Sequence, residues 1–156
     1  MRIAVIISLC LYSLFTYASE SENAILGVWT CDPFNMGDTE FGFAVTHKVN
    51  YKSDGTSIDT EIWRFTGPQD FWFSVDYSGP WKIENGILTE TLVETEVTFV
   101  SNEDFLSKEA VIVALSEMPQ PDEVVISKIV KISESKLVTK DTTYGDIGTC
   151  IRGVNG

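Results

Sequence analysis

The chain has 156 residues, 44% hydrophobic and 12% aromatic, with 11 Lys and Arg against 23 Asp and Glu, so its formal charge at neutral pH is −12. Such a surface repels phosphate backbones and anionic lipid, which argues against nucleic-acid partners and membrane insertion. The length suits one domain with a real core, and no repeat or low-complexity linker divides it.

In chain order, the first segment, MRIAVIISLCLYSLFTYAS, places Arg2 ahead of an apolar run from Ile3 to Phe15, followed by small or polar residues ending at Ala18. This is the pattern of a secretory signal at residues 1–18, cleaved near Ala18. Its apolar core falls short of the roughly 20 residues that a membrane span needs. Leu9 ahead of Cys10 is too bulky for a lipid attachment site. The expectation is an exported protein, periplasmic or extracellular, whose single domain spans residues 19–156 and keeps two cysteines, Cys31 and Cys150. An even pair in an oxidising compartment reads as a disulfide, with two separate buried thiols as the alternative.

The first apolar run of the domain is ILGVWTCD, residues 25–32. In FGFAVTHKVNYK, Phe41, Phe43, Val45, His47, Val49 and Tyr51 share one face and polar residues share most of the other, the period-two signal of a half-buried strand. Asp54-Gly55 then suits a tight hairpin into a strand from Ser57 to Phe65. DFWFSVDY repeats the alternation with Phe71, Phe73, Val75 and Tyr77 on one side, and Gly79-Pro80 predicts a break in the ladder. Asn85-Gly86 marks a second hairpin within WKIENGILTETLV.

The segment SNEDFLSKEAVIVALSEMPQPD differs. A cap at Ser101 or Asn102, acids in a first turn, and prolines at 119 and 121 predict a helix over about 102–117. The β-branched run AVIVAL would also suit a strand. EVVISKIVKI, KLVTKDT and IGTCIRG complete about eight strands. Sequential strands with tight turns predict an all-β fold, a closed or nearly closed up-and-down antiparallel β-barrel of about eight strands with one helical insert, because closure removes exposed edges. A sandwich is the competitor.

The cysteines help to decide. If Cys31 and Cys150 pair across antiparallel strands, the next residues on the same face, two positions outward, are Trp29 and Arg152. A cation over an indole contributes about 0.5–2 kcal/mol. The crosslink would restrict a denatured loop of about 120 residues, worth roughly 4–5 kcal/mol in the chain-entropy model. First and last strands would then be neighbours, as closure requires.

Gly27-x-Trp29 near the start, Arg152 near the end and the up-and-down strand order resemble the lipocalins and the wider calycin group. The series YKSDGT, GPWKIENGILTE, SKIVKISESKLVTKD and TCIR is similar to bacterial exported lipocalin-like domains. The resemblance implies that Trp29 and Arg152 close the barrel base and assigns them no catalysis. The helical insert after Phe99 departs from the terminal helix of animal lipocalins.

A barrel of this size holds one small ligand or fills itself with side chains. The inward aromatics Phe41, Phe43, Phe71, Phe73 and Tyr77 suit either. A two-residue turn at Asp54-Gly55 would place His47 opposite Ile62 and Val45 opposite Arg64, and the Asn85-Gly86 turn places Glu90 opposite Trp81. His47, Arg64 and Glu90 then form a candidate cluster for a ligand's carboxylate or hydroxyl, or else a structural network or a slipped register that exposes them. One histidine and two paired cysteines leave little for a metal site, and the first-loop acids Asp32, Asp38 and Glu40 lack the spacing of a calcium loop. No serine or free cysteine stands in a nucleophile motif. The expected function is binding of a small apolar or amphipathic molecule, with no cofactor. A protein-interaction module or inhibitor with a filled barrel is the alternative, and an enzyme using His47 or Glu90 is third.

Overall fold

The computed structural model describes residues 22–37, 42–117 and 124–153. The segment at 1–18 expected to be a signal, Cys10, the first-loop acids Asp38 and Glu40, Phe41, and the prolines at 119 and 121 lie outside the described residues. The strands are β1 (Gly27–Cys31), β2 (Phe34–Met36), β3 (Phe43–Tyr51), β4 (Thr56–Phe65), β5 (Trp72–Glu84), β6 (Ile87–Thr91), β7 (Glu94–Val100), β8 (Val124–Ile132), β9 (Lys136–Asp141) and β10 (Ile147–Arg152). Eight of them close a ring in the order β1-β10-β9-β8-β6-β5-β4-β3, with β3 pairing back to β1, and every pairing is antiparallel. The fold is the barrel that the alternation predicts.

Closure rests on the register inferred from the cysteines. Cys31 and Cys150 are disulfide-bonded, Cys31 faces Cys150 and Trp29 faces Arg152. The Arg152 guanidinium carbon sits 4.3 Å from the centre of the Trp29 ring, which is fully buried. The guanidinium also donates hydrogen bonds to the carbonyls of Leu26 and Ala24, so this inward charge meets polar partners in the helical turn at 22–25 and just after it. Trp29 Nε1 donates to the Ile25 carbonyl at 2.6 Å. Gly27 adopts φ +109°, a left-handed conformation that favours glycine, and a Cβ there would press on Arg152 Nη1 at 3.2 Å.

The two segments without their own prediction, β2 and β7, are continuations. β1 and β2 run along successive parts of β3, and β6 and β7 along successive parts of β5. Each is one strand interrupted by an irregular step. The predicted break at Gly79-Pro80 is corrected accordingly: β5 runs unbroken through both residues, and the step lies on its partner at residues 92–93. A Cβ at Gly79 would lie 1.7 Å from the Thr91 carbonyl oxygen, so the glycine gives the stepped strand room rather than ending its own.

The helix occupies Lys108–Glu117, shorter than the predicted 102–117. Asn102 does cap a turn, accepting from the Phe105 amide, but Ser107 starts the helix proper by accepting from the Ala110 amide. A second capping residue five positions on has reset the start.

Two apolar clusters result. The barrel base packs Ile25, Trp29, Val49, Tyr51, Leu88 and Leu137 around the disulfide. The other cluster sets Val45, Trp63, Phe71, Phe73 and Val97 against Leu106, Val111 and Leu115 from the helical segment. Replacing Cys31 and Cys150 together with serine removes a crosslink spanning 119 positions. Urea unfolding of that variant should show a loss of about 4–5 kcal/mol. A loss below about 1 kcal/mol would mean that the crosslink does not govern closure.

Candidate functional site

The hairpin between β3 and β4 decides what the barrel interior contains. Lys52 and Thr56 close a three-residue loop, Ser53-Asp54-Gly55, by a hydrogen bond from the Lys52 amide to the Thr56 carbonyl at 2.9 Å. Gly55 adopts φ +82°, the left-handed residue that completes a three-residue hairpin. Asp54 Oδ1 accepts from the Thr56 amide at 2.9 Å and from the Thr56 hydroxyl at 2.6 Å, fixing the turn. The two-residue turn expected from Asp54-Gly55 is thereby corrected. His47 faces Glu61, not Ile62, and Val45 faces Trp63, not Arg64.

A one-residue change of register moves every side chain of a strand to the other face. Arg64 accordingly stands outside the barrel, 57% exposed, with Nη1 3.3 Å from Asp70 Oδ1. Ser57, Asp59, Glu61 and Trp63 take the inner face in place of Ile58, Ile62 and Arg64. The Asn85-Gly86 turn has two residues as expected, and Glu90 faces Trp81.

These inward groups border a cavity of about 680 Å³ between the two apolar clusters. Its base is formed by the disulfide with Val49, Leu88 and Leu137, and its far side by Trp63, Tyr77 and Leu115. The exposed lining residues include Phe34, Met36 and Thr95 on β2 and β7, Asp32 and Pro33 from the β1–β2 step, and Asp146 and Ile147 where the β9–β10 turn enters β10. There the ladder between first and last strands ends, its last bond running from the Asp32 amide to the Thr149 carbonyl, and the strands part to leave a mouth.

Of the predicted binding residues, His47, Tyr77 and Glu90 line the cavity. Phe43, Phe71 and Phe73 do not: they pack in the cluster beneath the helix, where Phe73 stacks on Trp63 with ring centres 5.7 Å apart. Sequence reasoning missed Asp59, Glu61 and the Tyr51 hydroxyl. The available signal was the Asp-x-Thr at 54–56, which favours the longer loop. The hydrophobic pattern pointed the other way, because Ile58 and Ile62 made the wrong face of β4 look apolar.

The polar wall is acidic. His47 Nδ1 lies 3.3 Å from Asp59 Oδ2, Trp63 Nε1 donates to Glu61 Oε2 at 2.7 Å, and the Tyr51 hydroxyl donates to Glu90 Oε1 at 3.0 Å. Burial pushes the Glu61 carboxyl up to about 7, helped by the charge of Asp59, while the Trp63 hydrogen bond and His47 pull the other way. Glu90 is likewise pushed up to about 7 by burial, with Asp59 adding to it and the Tyr51 hydrogen bond opposing. For His47, burial disfavours the charge, but Asp59, Glu61 and Glu90 outweigh it and its pKa is raised. Tyr51 and Tyr77 stay protonated, both raised chiefly by burial. Among the described residues, no three of the acidic, histidine and cysteine groups converge as a metal site.

A scan against models of known protein families finds no match, and no curated protein matches the chain.

The raised carboxyls give the stability a definite sign with pH. The folded state holds protons that the unfolded chain releases near pH 4.5, so the stability these two carboxyls contribute is full below that value and is lost as pH rises to about 7. Raised His47 adds a loss of the same sign above its ordinary value of 6.5. Thermal melts should show Tm falling between pH 5 and pH 7.5, and Glu61→Gln should both flatten that fall and raise Tm at pH 7.5. A Tm that rises across this range would contradict the buried carboxyls.

Proposed function

We propose that this chain is an exported lipocalin-like binding protein that encloses a small amphipathic molecule within its barrel. The observation that carries the reading is the cavity of about 680 Å³, of a size that houses drug-sized ligands. It lies between two separately packed clusters, so side chains from neither fill it. An interaction module with a filled barrel is less well supported by the same void. The lipocalin resemblance draws its support from the closed antiparallel ring and from Trp29 stacked under Arg152. Export draws its support from the disulfide, which suits an oxidising compartment, and from the leader-like segment at 1–18. Among the described residues, no helix is long and apolar enough to cross a membrane.

Trp63 stands in the cavity wall, so a guest should change indole emission. Titration with laurate, dodecanol, dodecylamine and 2-naphthol should produce a saturable change with at least one of them. Thr139→Trp, which sets an indole into the cavity, should abolish it. Silence with all four ligands, or an unchanged response in Thr139→Trp, would overturn the reading.

A further inference from the structure

The cavity's charge is one-sided. Asp59, Glu61 and Glu90 line its interior and Asp32, Asp141 and Asp146 its outer part, while no lysine or arginine among the described residues lines it. His47 is the one basic group present, and it lies against Asp59. The other wall donors are neutral: the Trp63 indole serves Glu61 and the Tyr51 hydroxyl serves Glu90, each reaching a single carboxylate oxygen. They hold the carboxylates in place without cancelling their charge. Asp59 Oδ1 is covered by neighbouring atoms and has no hydrogen-bond partner, while Oδ2 of the same carboxylate, whose side chain is 29% exposed, meets only His47. A buried acceptor left without a donor is costly, and so is a buried carboxylate without a counter-charge. The protein's own side chains leave the interior short of both donors and positive charge.

We propose that the cavity takes an organic cation, an ammonium carried on an apolar or aromatic skeleton, with its charged head among Asp59, Glu61 and Glu90 and its skeleton between Leu88, Trp63 and Tyr77. This rests on the binding reading above and names its ligand class. An ammonium supplies up to three donors and one positive charge, which are the two things the interior lacks. Trp63 and Tyr77 line the cavity, and an aromatic ring whose face meets the guest also attracts a cation. A bare metal ion fits less well, since the acids do not converge as a metal site among the described residues and the cavity far exceeds one ion. An anionic amphiphile such as a fatty acid would bring its carboxylate among three others.

The test compares three ligands on one skeleton at pH 8, where Glu61 and Glu90 are ionised and an alkylamine is protonated. Calorimetric titration with 4-phenylbutylamine, 4-phenylbutan-1-ol and 4-phenylbutyrate should rank them in that order, the amine about tenfold or more tighter than the alcohol. The amine-to-alcohol ratio should fall severalfold in Glu61→Gln and in Glu90→Gln. Alcohol or carboxylate binding as tightly as the amine would overturn the cation assignment while leaving the binding reading intact. So would an unchanged ratio in both variants, or failure of all three probes when one of the neutral or anionic ligands above does bind. Failure of every ligand in both experiments removes the binding reading and this inference together.

Discussion

The interior chemistry of this barrel depends on the left-handed backbone at Gly55. With φ at +82°, that residue extends the β3–β4 hairpin loop to three residues and sets the whole of β4 in the register that turns Asp59 and Glu61 inward. In the neighbouring register the same strand would present Ile58, Ile62 and Arg64 to the cavity. The barrel would then have an apolar interior with one cation, and His47 and Glu90 would face a guanidinium instead of more acids. The hydrogen bonds that Asp54 accepts from Thr56 hold the turn in the form that decides between these two proteins.

Closure supplies the frame in which that register matters. The staple at Cys31–Cys150 sits where β1 and β10 stop pairing, so it both secures the ring and marks the point beyond which the strands part. Below it, Trp29 and Arg152 seal the base through a ring–cation contact and two backbone acceptors. Beyond it β2 and β7 extend the sheet, and the helix packs on β7 and against the second apolar cluster. The aromatic side chains gathered there make a second core. The space left between the two cores is the cavity, which explains how a chain rich in inward aromatics still encloses a void.

Much of this was legible in the sequence because it follows from pairings the chain states twice. Cysteine parity and strand alternation agree on the β1–β10 register, and Asn85-Gly86 fixes the β5–β6 register with a turn that has one good geometry. The β3–β4 hairpin departs from the two-residue turn that Asp54-Gly55 suggests because Asp-Gly serves two loop lengths. Phe43, Phe71 and Phe73 were rightly placed inward, but facing inward does not distinguish packing against a helix from lining a cavity. That distinction needed the position of Lys108–Glu117, whose start was set by Ser107 rather than Asn102. The break expected at Gly79-Pro80 rests on proline's missing donor, and the close approach of the Thr91 backbone to Gly79 leaves no signature in that segment.

The central claim is that β4 turns its acidic face into the barrel, and Glu61 is the residue that reports it, since the neighbouring register would place it in solvent. Carbon-13 NMR of the Glu61 side-chain carboxyl across pH 3–9 measures this directly. A midpoint near 7 is the result that the buried, acid-flanked position predicts. A midpoint near 4.5 would put Glu61 in water, reverse the face of β4 and contradict the acidic interior.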